Sequence, residues 1–429
     1  MASYRLNNMA ITIEKEASAR PGFPIRFGKY SEIRTSEYEF HFNLKGEIKL
    51  IRGLNVNWPH PSECLKRTDG NDWVFYSVGS SVGENIFQCL GEYYLPCLPY
   101  PGNSIWEFNP FADPDVPKAF AAWSQLYANI YNMRDHDIPA DLKEFLYLIS
   151  DESVLHEQAK KLHSIIGGQV SVLPPDTRHV DYEVIPLTIA DGCLYHCNFC
   201  SVKSHQRFQP RSEDSILQQI SQLKAFYNRN LGNYNALFLG NHDALGAGEE
   251  VIRMAASEAV TAFGFGNPQV KNPALFLFGS VDSLLGSENK LFEELSSLPF
   301  YTYINVGFES VDAPTLASIN KPLDISRIRD AFQKMLELNR DYSDIEITAN
   351  FLLGNQLSPE HNQSLAEFLS DISDSFYSKS GAIYLSPLMD PKKRRSLMDD
   401  QKRSNLLKSF FEIKKQSRLP AYIYLIQRL

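Results

Sequence analysis

The chain has 429 residues, of which 43% are hydrophobic and 22% charged, and its formal net charge is −9 at pH 7. This composition excludes an intrinsically disordered chain, and the length predicts two domains because one hydrophobic core seldom extends over so many residues. The negative charge argues against a general surface for polyanions, so nucleic acid is not expected as a partner.

Residues 1–175 are predicted to form an α+β domain in which strands come first and helices follow. Apolar and polar residues alternate from 38 to 50 around the turn Lys45-Gly46, which predicts a β-hairpin. Apolar side chains then recur at three- and four-residue steps over 116–166, which predicts helices. The role of this domain is open, and we expect it either to bind substrate or to cover the second domain.

Residues 176–429 repeat a strand followed by a helix six times. The strands are nearly continuous apolar runs, which is typical of a parallel sheet whose outer face is covered by helices. The sequence therefore predicts an α/β fold here, ending in a helix and a tail. The predicted strands are 185–190, 236–239, 274–278, 303–306, 345–353 and 382–385.

Three cysteines, Cys193, Cys197 and Cys200, lie within eight residues directly after the first of these strands. Thiolate sulfur is the ligand that zinc and iron–sulfur clusters both select. Either centre needs four ligands, so three cysteines leave one coordination position for another group. In a structural zinc site the fourth ligand could be His196 or His205. His196 lies between two proposed ligands and has poor geometry for the same ion.

The spacing Cys-x3-Cys-x2-Cys, with Phe199 before the last cysteine, resembles the signature of the radical S-adenosylmethionine (radical SAM) superfamily. The resemblance covers about residues 180–390. It implies a partial (β/α)6 barrel, a [4Fe–4S] cluster on the three cysteines and S-adenosylmethionine at the open iron. It also implies reductive cleavage of S-adenosylmethionine to a 5′-deoxyadenosyl radical that abstracts hydrogen from a substrate. An electron donor such as flavodoxin or ferredoxin would supply the reducing electron.

Polar residues follow several of the predicted strands, and in such barrels the active site lies beyond the carboxyl ends of the strands. Asn241 and Asp243 fit a helix-capping turn equally well, and Asn350 fits an amide bonded to backbone. The resemblance implies that a set of these residues binds S-adenosylmethionine: Gly240, Asn241, His242 and Asp243 at the methionyl amino group, Glu309 and Ser310 near ribose and methionine, Phe199 at adenine, and Ser280 and Asn350 facing the cofactor.

Cys64, Cys89 and Cys97 lie in the first domain at wide and irregular spacings. We interpret them as small buried hydrophobes, with an auxiliary cluster as the alternative. So few cysteines in so long a chain indicate a reducing compartment rather than a disulfide framework. No apolar stretch could span a bilayer and no leader is apparent at Met1, so a cytoplasmic protein without membrane contact is expected.

The substrate is open at this stage. The negative charge favours a small molecule or a peptide, and an RNA-modifying radical SAM enzyme and a non-catalytic iron–sulfur sensor are the alternatives. The basic run from Lys392 to Arg395 follows the sixth predicted strand. It fits either a solvated loop or a group that binds a phosphate or carboxylate of the substrate.

Overall fold

The computed structural model describes residues 1–18, 25–54, 64–77, 93–96, 114–200, 207–240, 243–267, 270–354, 357–371, 380–388 and 400–429. Two large sheets organise these residues. The first is an antiparallel sheet of eight strands, and the second is a parallel sheet of seven. Helices cover one face of each, in keeping with a mixed α/β fold that has an antiparallel sheet at its amino-terminal end.

The antiparallel sheet is a meander in which each strand pairs with the next along the chain. The predicted hairpin is confirmed, because Phe40 lies opposite Ile51 across the two strands. Gly46 forms the turn with a φ of 77°, a left-handed conformation that suits glycine. The strands are β1 (Ala2–Leu6), β2 (Met9–Glu16), β3 (Lys29–Arg34), β4 (Tyr38–Phe42), β5 (Ile48–Gly53), β6 (Cys64–Arg67), β7 (Trp73–Ser77) and β8 (Tyr93–Pro96).

Three helices cover one face of this sheet: α1 (Asp115–Met133), α2 (Ala140–Leu148) and α3 (Glu152–Ile166). The ring centroid of Trp123 lies 6.2 Å from that of Phe40 and 5.6 Å from that of Phe42. Leu155 of α3 belongs to the same core, whereas Leu162 of α3 packs in the core of the parallel sheet. Helix α3 therefore contributes to both cores, and the predicted domain boundary at residue 175 remains a prediction.

The parallel sheet confirms all six predicted strands and adds a seventh, which the sequence prediction had assigned to a tail. Its strands lie in the order in which they occur along the chain, and its two edge strands leave it open among the described residues, as a partial barrel requires. They are β9 (Ile185–Thr188), β12 (Ala236–Gly240), β13 (Ala274–Ser280), β14 (Tyr301–Glu309), β15 (Ile345–Leu353), β16 (Ile383–Pro387) and β17 (Ala421–Ile423). Between β9 and β12 lie the short strands β10 (Ala190–Asp191) and β11 (Gln209–Pro210).

Alternate residues of each parallel strand pack against the surrounding helices. Phe308 of β14, for example, is fully buried, and its ring centroid lies 5.7 Å from that of Phe332. None of the helices found in the described ranges is long and apolar enough to cross a membrane. The helices are α4 (Glu213–Tyr227), α5 (Glu249–Phe263), α6 (Val281–Gly286), α7 (Asn289–Ser296), α8 (Ala313–Ser318), α9 (Ile325–Asp341), α10 (His361–Ser370) and α11 (Asp400–Gln416).

The segment that precedes β9 packs against the inner face of the parallel sheet at its amino-terminal end. The buried carboxylate of Asp176 accepts hydrogen bonds from Thr348 Oγ1 at 2.9 Å and from Tyr384 Oη at 2.6 Å. Burial raises the pKa of Asp176. Burial also raises the pKa of Glu346 to about 7, with a further contribution from the Asp176 carboxylate.

Buried ions join the antiparallel sheet to the second half of the chain. Lys49 Nζ lies 2.9 Å from Asp69 Oδ1 and 3.3 Å from Glu183 Oε2. Asp69 Oδ2 accepts hydrogen bonds from Tyr234 Oη at 2.6 Å and from Tyr227 Oη at 3.2 Å. Burial alone would lower the pKa of Lys49, but the two carboxylates raise it to about 12. The charges are therefore well compensated, and removing one of them should be costly.

We predict that Asp69→Asn lowers the free energy of unfolding by about 3 kcal/mol, the lower end of the cost of breaking a buried ion pair, because Lys49 keeps Glu183 as a partner. Urea unfolding followed by circular dichroism measures the change. The matched control is Glu157→Gln, which removes an exposed ion pair with Lys160 and should leave the midpoint unchanged. Equal midpoints for the two variants would contradict the prediction.

Glu346 predicts a pH dependence of stability. Its pKa is about 7 in the folded chain and 4.5 by reference, so between these values the folded state holds more protons than the unfolded state. The contribution of Glu346 to stability is thus complete below pH 4.5 and is lost as the pH rises to 7. Glu346→Gln should remove this loss, and Glu412→Gln, at an exposed position of α11, should not. Thermal midpoints measured across this pH range test the prediction, and parallel curves for wild type and Glu346→Gln would refute it.

Candidate metal and cofactor site

The three cysteines lie on one loop that leaves the carboxyl end of β9. The loop begins and ends in the short pairing of β10 with β11, and Cys193 bridges to Arg207. Arg211 holds the base of the loop, because its Nε and Nη2 each lie 2.7 Å from a carboxylate oxygen of Asp191. Such a two-point contact fixes orientation as well as distance.

The outer part of the cysteine loop docks on the chain just after α8. The backbone N–H of Asn198 donates to the carbonyl of Ile319 at 2.9 Å. In return, Asn320 Nδ2 donates to the carbonyl of His196 at 2.9 Å. We call residues 318–321 the docking turn. Asn320 has a φ of 56°, the left-handed conformation that Asn tolerates at the end of a helix.

Tyr195 anchors the middle of the loop. Its hydroxyl donates a short hydrogen bond to Asp282, at the start of α6, and accepts one from the Asp282 backbone N–H at 3.3 Å. Arg327 of α9 pairs with the same carboxylate. Burial raises the pKa of Tyr195, and the Asp282 carboxylate raises it further. Tyr195 is therefore a neutral anchor that ties the cysteine loop to two helices.

The donor set of the loop fits an iron–sulfur cluster. Cys197 is buried, and Cys193 and Cys200 are half-buried. The backbone N–H of Tyr195 lies 3.4 Å from Cys193 Sγ, which directs one N–H group at a ligand sulfur. Burial raises the pKa of Cys193, and it raises that of Cys197 to about 12. Metal binding would therefore have to remove a proton from the Cys193 and Cys197 thiols.

A compact group of metal-binding atoms lies elsewhere, on the antiparallel sheet. Among described residues, only Glu32, Glu39 and His41 bring three such atoms within 4.8 Å of one another. Their carboxylates already have cationic partners, because Lys15 Nζ lies 2.9 Å from Glu32 and Arg52 Nη2 lies 2.9 Å from Glu39. Burial opposes ionisation, yet His41 and Arg52 lower the pKa of Glu39 to about 2. This group is an ion-pair network.

The cysteine sulfurs do not form so compact a group. One tetrahedral zinc ion with Zn–S bonds of about 2.3 Å needs sulfurs about 3.8 Å apart. The three sulfurs are not all within 4.8 Å of one another, so they are not prearranged for one such ion.

Asp243 lies at the carboxyl end of β12 and is buried. Its Oδ1 accepts hydrogen bonds from Ser283 Oγ at 2.7 Å, from the Ser280 N–H at 3.1 Å and from the Gly246 N–H at 3.2 Å. Its Oδ2 is equally buried and has no hydrogen-bond partner among the residues that the structure describes. Burial raises the pKa of Asp243. One oxygen therefore caps the local turns, as the structural alternative predicted, while the other is free to accept from a ligand.

Glu309 ends β14 in a strained conformation. Its φ is 68°, and the pairing of β14 with β15 shifts register between Gly307 and Glu309. Left-handed backbone at a residue other than glycine costs roughly 1 kcal/mol or more and is concentrated at functional sites. The bulge directs the Glu309 carboxylate to Lys321 Nζ at 3.2 Å and to Asn350 Nδ2 at 3.5 Å. Asn350 Oδ1 is buried and has no hydrogen-bond partner within the described ranges.

Ser310 and Ser280 make structural contacts with their hydroxyls. Ser310 is fully buried, and its Oγ lies 2.8 Å from Nδ1 of His361, whose Nε2 lies 2.9 Å from the carbonyl of Leu352. Ser280 Oγ caps α6 by accepting from the Ser283 N–H. The expected contact of Ser310 with the cofactor therefore gains no support from its hydroxyl, which faces α10.

The structure describes some of the remaining predicted residues and not others. Gly240 is buried at the end of β12, where an added Cβ would lie 2.3 Å from the Phe238 ring. Phe199 is half-buried in the cysteine loop. Cys64 is buried beside Leu50 and Val74, in keeping with a small apolar residue. Several residues singled out earlier lie outside the described part of the chain: Cys89, Cys97, His205, Asn241, His242 and the basic run 392–395.

The sequence analysis gave no role to Tyr195, Lys321 or Arg327. Lys321 Nζ donates to the Gly307 carbonyl at 2.7 Å and lies 5.1 Å from the centroid of the Tyr195 ring. The one local signal for the docking turn was Asn320, because asparagine often ends a helix in the left-handed conformation.

Comparison with protein families finds one match. Residues 187–369 match the family model described as Radical SAM superfamily. This segment begins within β9, contains the cysteine loop and ends within α10. It is a radical SAM domain, and the cofactors of such domains are a [4Fe–4S] cluster and S-adenosylmethionine. Comparison with curated proteins finds no similar sequence.

Comparison with solved structures finds several radical SAM proteins at low identity. A radical SAM methyltransferase from Sphaerobacter thermophilus is 13% identical, with 56% of this chain and 65% of that chain covered and a TM-score of 0.36. The cobalamin-dependent S-adenosylmethionine radical enzyme OxsB is 15% identical, with 57% and 32% covered and a TM-score of 0.35. Streptococcus suis SuiB bound to S-adenosylmethionine is 10% identical, with 71% and 60% covered and a TM-score of 0.34. The chain spans less than two thirds of each.

Proposed function

We propose that the protein is a radical SAM enzyme that removes a hydrogen atom from a small organic molecule or a peptide. Cys193, Cys197 and Cys200 hold the cluster in this proposal. When bound, the cluster and S-adenosylmethionine supply one-electron reductive cleavage and hydrogen abstraction. The observation that carries the proposal is the docked three-thiol loop, together with buried acceptor atoms after β12 and in β15 that have no partner in the described part of the chain.

Asp243 is the proposed acceptor for the methionyl ammonium group of S-adenosylmethionine. Its Oδ1 is occupied by three donors, which fixes the carboxylate, and its buried Oδ2 has no partner. An ammonium group at Oδ2 would satisfy that oxygen with a charge-assisted hydrogen bond and favour the ionised carboxylate against the effect of burial. Ser280 then acts through Asp243, because its backbone N–H holds Oδ1. Gly240 and the residues Asn241 and His242 complete the predicted turn.

Glu309 and Asn350 are the proposed contacts for the ribose hydroxyls. A carboxylate accepts hydrogen bonds from hydroxyls, and the Asn350 amide oxygen is a second buried acceptor. The bulge at Gly307 and the ion pair with Lys321 hold the Glu309 carboxylate in place before any ligand binds. Preorganisation of this kind reduces the entropy that binding must overcome. Phe199 remains the predicted neighbour of adenine, and Ser310 shapes the turn after Glu309.

The partners in this proposal follow from the same chemistry. A flavodoxin or ferredoxin would supply the reducing electron, and a cytoplasmic location would keep the three thiols reduced. The amino-terminal half, residues 1–175, would bind the substrate or cover the open end of the sheet. Its buried ionic link to the second half, through Lys49, Asp69 and Glu183, supports a fixed position for such a cover.

The central test is anaerobic reconstitution with iron and sulfide, followed by an assay for 5′-deoxyadenosine with dithionite as reductant. Wild type should bind about four irons per chain and form the product. Cys197→Ala should lose both, because it removes one of only three protein ligands. Cys64→Ala, which changes a buried cysteine remote from the loop in sequence, is the control and should retain both.

Three outcomes would contradict the proposal. An intact cluster that yields no 5′-deoxyadenosine would indicate a sensor instead of an enzyme. A colourless protein that holds one zinc ion at the three cysteines would mean that the metal is misassigned. Retention of cluster or product in Cys197→Ala would show that the ligands are wrong.

The position of Glu309 can be tested through Gly307. A Cβ added to Gly307 would lie 2.7 Å from Glu309 Oε1, so Gly307→Ala must displace that carboxylate. We expect about tenfold weaker binding of S-adenosylmethionine, equivalent to about 1.4 kcal/mol, with unchanged iron content. Isothermal titration of the reconstituted protein measures it. Gly286→Ala is the control, because an added Cβ meets nothing within 4 Å there. Wild-type affinity in Gly307→Ala would remove Glu309 from the proposed site.

A further inference from the structure

Lys321 is a buried cation that contacts two parts of the proposed site. Its side chain is 3% exposed, and its ammonium group lies 3.2 Å from Glu309 Oε1. It also donates to the Gly307 carbonyl at 2.7 Å, across the bulge of β14. Its third neighbour is the ring of Tyr195, in the cysteine loop, whose centroid lies 5.1 Å from Nζ.

The backbone next to Lys321 holds the cysteine loop directly. The carbonyl of Ile319 accepts from the Asn198 N–H, and Asn320 Nδ2 donates to the carbonyl of His196. Asn198 and His196 flank Cys197 in the sequence. The docking turn therefore fixes the position of the Lys321 ammonium relative to the cysteine ligands, and the loop and the cation cannot move independently.

The charges around Lys321 define its effect. Glu309 is its only ion-pair partner among the residues that the structure describes, and the Asp282 carboxylate, which accepts from Tyr195, is paired with Arg327.

We infer that Lys321 is a positioning residue that eases reduction of the cluster held by Cys193, Cys197 and Cys200. Reduction adds one electron and hence one negative charge to the cluster. A buried cation fixed nearby lowers the energy of that added charge, and the interaction is stronger in the protein interior than in water. The inference rests on the proposed function, because it presupposes the cluster.

The test is the midpoint potential of the reconstituted full-length protein, measured by a dithionite titration followed by electron paramagnetic resonance, without S-adenosylmethionine. Lys321→Met should shift the potential to a more negative value, whereas Lys321→Arg should stay near wild type. Glu309→Gln should shift it the opposite way, because it removes the negative partner of Lys321. Lys290→Met, which removes an exposed lysine charge, is the control and should leave the potential unchanged.

Each result bears on the inference. An unchanged potential in Lys321→Met, with full iron content and a wild-type circular dichroism spectrum, would overturn it while leaving the proposed function intact. An unchanged potential with weaker binding of S-adenosylmethionine would assign Lys321 to that cofactor instead. Loss of the cluster in Lys321→Met but not in Lys321→Arg supports the need for a charge, and loss in both overturns it. A wild type without a cluster would defeat the proposed function itself.

Discussion

The site depends on the docking of a short cysteine loop on a turn that belongs to another strand–helix unit. The three cysteines lie within eight residues, and contacts to other elements fix this short segment. The loop between β9 and α4 is held by Asn320 and Ile319 after α8, and by Asp282 at the start of α6. The parallel sheet brings these units together, because the carboxyl ends of its strands meet at one edge. The ligand geometry is thus a property of the whole sheet.

Two acidic residues at that edge have unfavourable conformations or environments, which neighbouring residues stabilise. Glu309 adopts a left-handed backbone, and Asp243 is buried with an oxygen that lacks a partner. Both would be unfavourable in isolation. Each is held by a neighbour on a different element, Lys321 in the case of Glu309 and Ser280 in that of Asp243. Strain and unsatisfied acceptors at the same edge are what a preorganised ligand site requires.

The sequence was most informative where the physical signal is local. Apolar runs located six parallel strands, and the three cysteines indicated the candidate metal site, which stays a prediction. Strand β17 was not predicted, because three residues are too few to show a hydrophobic pattern. The contacts of Lys321 were not predicted, because they depend on Glu309, twelve positions earlier, and on the path of a short helix. The orientation of Ser310 depends on His361, 51 positions later, and no local pattern encodes such a contact.

The contacts of Asp176 extend beyond the segment that matches the radical SAM family. Its carboxylate joins β15 to β16 from the inside, yet it precedes the segment that matches the radical SAM family, and β17 follows that segment. The Arg178 guanidinium, from the same preceding turn, lies 4.6 Å from the ring of Tyr422 in β17. Residues that precede and follow the matched segment therefore contact each other. The parallel sheet extends beyond that segment, because β17 follows it and the turn with Asp176 and Arg178 precedes it.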